Sequence, residues 1–189
     1  MGPRRVVGIT GAPGAGKTTY ALGLVAASAV PAAYVPMDGF HLADVTLAAL
    51  GRLDRKGAPD TFDAWGYAAL LRRLRDERDH VVYAPGFERH LEQPIAGAVA
   101  VPPEADLVVT EGNYLLLDRP EWRAVRDQLD EVVHLVTDDA VRRARLVARH
   151  VEFGKTPAEA EAWVARVDDA NAALVASTID RADQVVTLR

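Results

Sequence analysis

The stretch GITGAPGAGKTTY, which begins at Gly8, constrains the fold of this chain more than any other part of its sequence. Gly11, Gly16, Lys17 and Thr18 satisfy the pattern G-x-x-x-x-G-K-[ST], and the stretch lies between an apolar run and a helix-compatible run. Glycines in such a loop turn successive backbone N–H groups toward an anion, and the following helix directs the positive end of its dipole to the same point. The pattern therefore predicts a strand, a phosphate-binding loop and a helix, in that order.

This loop predicts contacts to a nucleotide and to its metal ion. Lys17 is expected to reach the β- and γ-phosphates, and Thr18 to offer its hydroxyl to Mg²⁺. The alternative is a glycine-rich turn with a solvated Lys17, and the complete pattern between the right two elements argues against it. The predicted nucleotide-binding residues are Gly11, Ala12, Pro13, Gly14, Ala15, Gly16, Lys17, Thr18 and Thr19.

Length and composition limit the class of protein. A chain of 189 residues, 49% of them hydrophobic, is long enough for one well-buried core, so we expect a single domain over residues 1–189. The net charge of −5 argues against nucleic-acid binding, and the lack of cysteine excludes disulfides, thiolate metal sites and a cysteine nucleophile. No apolar run approaches the roughly 20 residues of a membrane span, so we expect a cytoplasmic protein with no membrane partner.

Short apolar runs rich in Val and Ile alternate with helical patterns along the chain. This alternation indicates a parallel sheet that is covered by helices on both faces, which is a three-layer α/β/α sandwich. The predicted strands cover residues 6–10, 32–36, 107–110, 132–136 and 185–188. The predicted helices cover residues 18–28, 43–50, 65–78, 121–129, 139–153 and 157–175.

Two acidic residues follow predicted strands. Asp38 follows the second strand in MDGFH, and Glu111 follows the third in TEGN. Ligands of an open parallel sheet bind beyond the carboxyl ends of its strands. If both strands flank the first, one carboxylate can accept the proton of an attacking hydroxyl and the other can hold the waters of Mg²⁺. The alternative for each residue is a turn that closes its strand.

The helical segment from Asp138 onward predicts a lid, at about residues 138–160. One stripe consists of Val141, Ala144, Ala148 and Val151, and is predicted to be the apolar face. A second stripe consists of Arg142, Arg145 and Arg149. Because like charges on one stripe repel, this arrangement favours a polyanion alongside, such as a nucleotide under a mobile lid. A solvated basic face paired with neighbouring acids is the alternative.

Two long segments, residues 51–62 and 84–101, look like loops. They favour insertions that bind an acceptor, at about residues 39–63 and 83–101. Asp60, Tyr83, Arg89 and His90 form a mixed polar and aromatic set that suits the hydroxyls and the planar or anionic parts of a small metabolite. Asp63 is better explained as the N-cap of the next helix. Two tryptophans, Trp65 and Trp163, are interpreted as core or surface anchors.

Motifs over nearly the whole chain resemble those of one known group. They are GAPGAGKTT, MDGFH, PDTFD, VYAPGFERH, VVTEGNYLLLD and the arginine helix, in this order. They are similar to the uridine kinase, phosphoribulokinase and type I pantothenate kinase superfamily of P-loop small-molecule kinases. The closest likeness is to its compact bacterial branch of nucleoside/nucleotide kinase-like or fructokinase-like proteins. The form Asp38-Gly39-Phe40-His41 is nearer to pantothenate kinases than to uridine kinases, although the chain is much shorter than the former.

This resemblance implies a P-loop NTPase fold with a five-stranded parallel sheet of order 2-3-1-4-5, a helical lid, and ATP with Mg²⁺ as donor. It implies Lys17 as a phosphate ligand, Thr18 as a metal ligand, Asp38 as general base, and Glu111 as a second acid near the metal. Arg145 or Arg149 would be the lid cation. The expected acceptor-binding residues are Asp38, His41, Asp60, Tyr83 and Arg89. Homodimers are common in the group, and the sequence leaves the oligomeric state open.

The sequence thus predicts transfer of the γ-phosphoryl group to an alcohol of a small metabolite, either a nucleoside or a sugar- or pantothenate-type acceptor. A shikimate- or nucleotide-kinase-like enzyme with a phosphorylated acceptor is a nearer rival. A regulatory NTPase that acts by binding a partner is the alternative from another class. The absence of an N-K-x-D guanine-recognition sequence after the phosphate loop argues against this switch.

Overall fold

A parallel sheet forms the centre of the molecule, of which the computed structural model describes residues 4–188. The strands are β1 (Arg5–Gly11), β2 (Ala32–Pro36), β3 (Val82–Glu88), β4 (Gln93–Val101), β5 (Leu107–Glu111), β6 (Glu131–Val136) and β7 (Gln184–Thr187). The sheet has the order β2-β5-β1-β6-β7 with every pair parallel. Counted along the chain without the β3–β4 pair, this order is 2-3-1-4-5, and the predicted order is confirmed.

Helices connect the strands and cover both faces of the sheet. They are α1 (Lys17–Ala26), α2 (Asp44–Ala49), α3 (Ala64–Asp76), α4 (Pro120–Arg126), α5 (Asp139–Glu152), α6 (Pro157–Trp163) and α7 (Asp169–Ala176). A π-helical segment, Val164–Asp168, joins α6 to α7 within the predicted single helix. Asp63 caps α3, because its side chain accepts a hydrogen bond from the backbone N–H of Gly66. Within residues 4–188, every helix is too short or too polar to cross a bilayer.

The alternation of side chains along β1 divides the core between the two faces. Val7 and Ile9 belong to a cluster that packs against α1. Val6 and Val132 belong to a larger cluster on the opposite face, which includes the fully buried Trp122 of α4. Burial on both faces explains why these strands are continuous apolar runs. This packing holds the carboxyl ends of β1, β2 and β5 at one edge.

The segment of residues 83–101 is an antiparallel hairpin and not the loop that the sequence predicted. β3 pairs with β4 from Val82↔Val101 to Glu88↔Gln93, with an irregular register near Ala84. Its alternation is weak because much of β4 is exposed and Gly97 has a φ of +67°. Pro85 and Pro94 also lie within the strands, where prolines are unusual. Because of these residues, the alternation of apolar and polar side chains does not predict the hairpin.

Helix α5 is rotated relative to the predicted orientation. The stripe of Val141, Ala144, Ala148 and Val151 is exposed, so the prediction that it forms the packed face was wrong. The buried residues of α5 are Arg142 and Leu146. Arg142 can be buried because Nε donates to Asp139 at 2.7 Å and Nη2 donates to Asp169 at 2.8 Å. Paired charges and a long aliphatic stem thus replace an apolar face.

Candidate active site

The phosphate loop adopts the backbone that its glycines predict. Gly14 and Gly16 have φ of +78° and +89°, in the left-handed region that favours glycine. A Cβ atom on Gly14 would lie 2.6 Å from the carbonyl oxygen of Arg142, so the loop also packs closely against the start of α5. Lys17 begins α1 and turns back over the loop, where its Nζ donates to the carbonyls of Gly11 at 2.9 Å and Ala12 at 3.0 Å.

Lys17 is buried, with 8% of its surface exposed. Burial lowers the pKa of Lys17 to about 8, against the opposing effect of the Glu111 and Asp38 carboxylates. The ammonium group is therefore close to its titration range near neutral pH. An anionic phosphate bound in the loop would favour the charged form.

The two strand-end acids lie at the same edge as the loop. Asp38 is in the 3₁₀ turn Met37–Phe40, directly after β2, and Glu111 is the last residue of β5. Pro36 is level with Glu111 in the β2–β5 register. Of the two strands that precede these acids, only β5 flanks β1, and β2 lies one strand further out, so the condition that both flank the first strand is not met. The turn nevertheless brings Asp38 within electrostatic reach of Lys17 and Glu111.

Glu111 is held by two hydroxyl groups on the same oxygen. Thr18 Oγ1 donates to Glu111 Oε1 at 3.2 Å, and Tyr34 OH donates to the same atom at 2.8 Å. Burial and the neighbouring Asp38 raise the pKa of Glu111, while burial and Glu111 raise the pKa of Tyr34. Tyr34 was missed by the sequence analysis. Its only signal was a phenol within an otherwise apolar strand that ends two residues before Asp38.

The side-chain oxygens at this point suit Mg²⁺ as ligands. Mg²⁺ is commonly bound by one or two carboxylates together with phosphate oxygens, and it keeps several of its waters. Thr18 and Glu111 offer such oxygens beside the phosphate loop, close to the Asp38 carboxylate. In the described part of the chain no three His, Cys, Asp or Glu side chains form a metal-binding group. The site therefore suits a metal ion that arrives with nucleotide phosphates.

Asp38 is surrounded by cations. Arg89 Nη2 donates to Asp38 Oδ2 at 2.7 Å, and His41 Nε2 lies 3.9 Å from Oδ1. Burial raises the pKa of Asp38, but His41 in its charged form, Arg89, Lys17 and Arg149 lower it and prevail. Burial also lowers the pKa of His41 to about 4, so the imidazole is neutral at pH 7. At neutral pH the charged groups that keep Asp38 ionised are therefore Arg89, Lys17 and Arg149.

The arginines of α5 have different positions. Arg145 and Arg149 line the same cavity as the phosphate loop, and Arg145 Nη1 lies 3.6 Å from the Cβ position of Gly16. Within residues 4–188 no hydrogen bond or ion pair engages the Arg149 side chain, and burial and Arg89 lower its pKa. Arg142 instead forms the ion pairs described above. Two of the three arginines of the predicted stripe thus face the nucleotide region.

The cavity that begins at the phosphate loop has a volume of about 520 Å³. Beyond Asp38 it is lined by aromatic and polar side chains, and this part is called the chamber. The aromatic members are Phe62, Phe87, Phe153 and Trp163. The polar members beyond Asp38 and Arg89 are His41, Asp44, Lys56, Glu92, His150, Lys155, Asp168 and Asn171. Rings beside paired polar groups are typical of pockets for small metabolites.

Of the expected acceptor residues, Asp38, His41 and Arg89 lie in this chamber. His41 stacks on Phe62 with ring centroids 4.0 Å apart. The structure does not bring Asp60 and Tyr83 there. Asp60 is held by Arg55 Nη2 at 3.0 Å, within its own loop. Tyr83 is 62% exposed, because it lies on the solvent side of β3.

The far wall of the chamber was missed by the sequence analysis. Asp168 closes the π-helical segment, and its Oδ2 lies 2.9 Å from His150 Nε2 on α5. Trp163, expected to be an anchor, lines the chamber and lies beneath Lys155, whose Nζ is 5.0 Å from the ring centroid. The π-helical turn shifts the side chains that follow it, and a 3.6-residue period does not reveal such a shift. The sequence offered one signal for this wall, which is the three-residue spacing between Asp168 and Asn171.

The site combines three features: a phosphate-binding loop after the central strand, acids at the ends of two other strands, and arginines on a covering helix. Together they define a P-loop kinase. Residues 6–188 match the family described as Phosphoribulokinase / Uridine kinase. The chain belongs to this family, and it is an ATP-dependent kinase that phosphorylates a small molecule. The resemblance stated from the motifs is confirmed.

Several relatives are similar over most of the chain. A Schizosaccharomyces pombe protein, provisionally named a uridine kinase, is 33% identical over 171 residues, which cover 84% of this chain and 72% of that protein. A protein of Aspergillus versicolor, named an ATP-dependent kinase-like protein, is 37% identical over 145 residues, covering 72% and 84% of the two chains. A crystal structure from Silicibacter sp. TM1040, provisionally described as a fructose transport system kinase, has 39% identity and a TM-score of 0.90, covering 98% and 91%.

A more distant structure shares the fold alone. The phosphoribulokinase of Rhodobacter spheroides has a TM-score of 0.70 at 11% identity, and the match covers 98% of this chain and 70% of the other. The agreement in fold extends across the sheet and its covering helices. At this level of identity the likeness shows the fold and does not identify the acceptor.

Proposed function

We propose that this protein transfers the γ-phosphoryl group of ATP, bound with Mg²⁺, to a hydroxyl group of a small sugar-like metabolite. The observation that carries the proposal is the convergence of Lys17, Arg89 and Arg149 on the Asp38 carboxylate beside the phosphate loop. Phosphoryl transfer needs a proton acceptor next to positive charge at this point. Residues 4–188 supply both within one cavity.

The chamber supports an acceptor with several hydroxyl groups. Asp168 and Asn171 are buried polar residues on its wall, and carboxylate and amide groups of this kind bind hydroxyls through paired hydrogen bonds. Phe87 and Trp163 offer apolar faces to the carbon skeleton. The similarity to the Silicibacter protein favours a sugar, and the similarity to the Schizosaccharomyces pombe protein makes a nucleoside the competing acceptor.

In the proposed reaction, Asp38 accepts the proton of the acceptor hydroxyl, whose oxygen forms a bond to the γ-phosphorus. The bond between the γ-phosphorus and the β–γ bridging oxygen breaks, and ADP leaves. Arg89 fixes Asp38 through Oδ2, which leaves Oδ1 to face the hydroxyl. Thr18 and Glu111 would hold Mg²⁺, which neutralises charge on the phosphates.

The cations of the site balance the charge that moves during transfer. Lys17 would contact the phosphates from the side of the loop, and Arg149 would contact them from the side of α5. Because Arg149 is half-buried yet makes no ion pair within residues 4–188, its charge is available to the transferred group. Closure of α5 and α6 over the chamber would exclude water, which otherwise competes with the acceptor hydroxyl.

The test is ADP formation from Mg²⁺·ATP with hexoses, pentoses, sugar acids, glycerate, pantothenate and nucleosides, with each product identified by mass. We expect one strong acceptor of sugar type. Replacement of Asp38 by Asn should leave ATP binding intact and reduce kcat with that acceptor by about 10²- to 10⁴-fold, which is the usual contribution of a general base.

Asp60→Asn is the matched control, because Asp60 is another arginine-paired acid that lies outside the cavity. It should keep wild-type turnover. Wild-type turnover in Asp38→Asn would remove Asp38 from the role of base. A strong hit only among the nucleosides would replace the sugar-type acceptor by a nucleoside.

A further inference from the structure

The phenol of Tyr34 reaches the active site from outside the cavity. Tyr34 is on β2 and does not line the cavity, yet its hydroxyl donates to Glu111 Oε1 at 2.8 Å. Its ring is half-buried and packs against the apolar cluster between the sheet and α1. The side chain therefore has a fixed base and a hydroxyl aimed at one carboxylate oxygen.

The hydrogen bonds on Glu111 leave its two oxygens in different surroundings. Oε1 accepts from both Tyr34 and Thr18, and no hydrogen bond from residues 4–188 reaches Oε2. A Glu side chain at a strand end can rotate about its terminal torsion, since this torsion is broad. The hydrogen bond from Tyr34 restricts this torsion and keeps one carboxylate oxygen directed toward Thr18.

We propose that Tyr34 is a positioning residue for the metal side of the site: its hydroxyl orients the Glu111 carboxylate so that Thr18 and Glu111 together receive the Mg²⁺ that accompanies the nucleotide. Thr18 can ligate a metal through an oxygen lone pair while its O–H group still donates to Glu111 Oε1. Oε2 then faces the waters of the metal. The inference rests on the proposed function only in requiring a Mg²⁺–nucleotide complex at this loop.

Hydrogen bonds from a second layer of residues commonly decide how well a ligand set holds a metal. Loss of such a partner typically costs 10- to 100-fold in metal affinity. Tyr34→Phe removes one hydroxyl and keeps the ring that packs on the cluster. Tyr34→Phe should therefore weaken metal binding without changing the stability of the fold or the phosphate contacts of the loop.

The experiment measures Mn²⁺ binding to the ADP complex by electron paramagnetic resonance, without any acceptor. Tyr34→Phe should weaken Mn²⁺ binding by about 10-fold or more, and ADP affinity in excess EDTA should stay at the wild-type value. In turnover assays with the acceptor, the same variant should raise the Mg²⁺ concentration for half-maximal rate more than it lowers kcat.

Tyr20→Phe is the matched control. Tyr20 is a half-buried tyrosine of the same apolar cluster, and within residues 4–188 its hydroxyl forms no hydrogen bond. Its removal should leave Mn²⁺ affinity unchanged. A double-mutant cycle with Glu111→Gln tests the route of the effect, because Tyr34→Phe should add nothing once the carboxylate is gone.

The inference is overturned if Tyr34→Phe binds Mn²⁺·ADP like the wild type, if it loses ADP affinity equally in EDTA, or if its effect is additive with that of Glu111→Gln. It is also overturned if the ADP complex of the wild type binds no Mn²⁺. A wild type that binds Mn²⁺·ADP and phosphorylates no acceptor would count against the proposed function alone.

Discussion

At the scale of single residues, the site depends on charges that are held partly out of water. Lys17 is buried beside two carboxylates, and its pKa of about 8 is below the usual value for lysine because desolvation outweighs the attraction of Glu111 and Asp38. The ammonium form predominates below pH 8, and the neutral amine predominates above it. A bound phosphate stabilises the ammonium form and so raises this pKa.

Nucleotide binding should therefore take up protons at alkaline pH. We expect ADP affinity to fall as pH rises from 7.5 to 9, with uptake approaching about one proton per ADP at pH 9 and little at pH 7.5. Calorimetry in buffers of different ionisation enthalpy measures this uptake. Equal uptake at the two pH values, or an affinity that does not change, would show that Lys17 is fully charged over this range.

The same scale shows what the sequence could predict of the site. Lys17 and Thr18 were predicted from the phosphate-loop pattern, and Asp38 and Glu111 from their positions at the ends of apolar strands. The structure brings all four to one edge. Tyr34 could not be found, because its contact with Glu111 depends on a register between β2 and β5 that local sequence does not encode. The chamber wall was hidden by the π-helical turn.

At the scale of elements, the turn that carries Asp38 is pressed against the hairpin. A Cβ atom on Gly39 would lie 2.3 Å from the carbonyl oxygen of Pro85 on β3. The same hairpin supplies Arg89, which pairs with Asp38. The contact therefore fixes the distance between the carboxylate and its cation, and a hairpin in place of the expected loop gives this distance a rigid support.

Gly39→Ala should separate the turn from the hairpin. We expect a loss of roughly 1–3 kcal/mol in the free energy of unfolding, as for other overpacked sites, together with reduced kcat because Asp38 shifts relative to Arg89. Urea unfolding and turnover measure the two effects. Gly23→Ala is the control, since an added Cβ on Gly23 of α1 meets no atom within 4 Å, and it should not destabilise the protein. Wild-type stability in Gly39→Ala would contradict the close contact.

At the scale of the whole molecule, a buried arginine joins segments that are distant in sequence. Arg4 is 1% exposed, and it donates to the carbonyls of Ala105 at 2.7 Å, Leu74 at 2.6 Å and Pro102 at 2.9 Å. It links the start of β1 to the end of α3 and to the segment before β5. The strands were predictable from their apolar runs, but this link was not, because arginine is rarely a core residue.

Arg4→Met keeps most of the side-chain length and removes these donors. We expect the free energy of unfolding to fall by roughly 3 kcal/mol or more, because several buried carbonyls lose their partner at about 1–3 kcal/mol each. Arg5→Met is the control, since Arg5 is exposed and its ion pair with Glu131 lies on the surface. It should change stability by less than about 1 kcal/mol. Similar melting of the two variants would mean that the Arg4 contacts contribute little.

The strand order also sets the sequence in which the chain can become competent during its synthesis. β1 pairs with β5 and β6, in registers that join Arg5 to Leu107 and Val7 to Glu131, and the loop glycine Gly14 packs against Arg142. The nucleotide-binding motif is synthesised before these partners, and its set of neighbours is complete only when the chain has been made as far as Arg142. We therefore expect that ATP cannot guide the early stages of folding, and that the nascent amino-terminal part depends on other factors to keep its apolar strands apart.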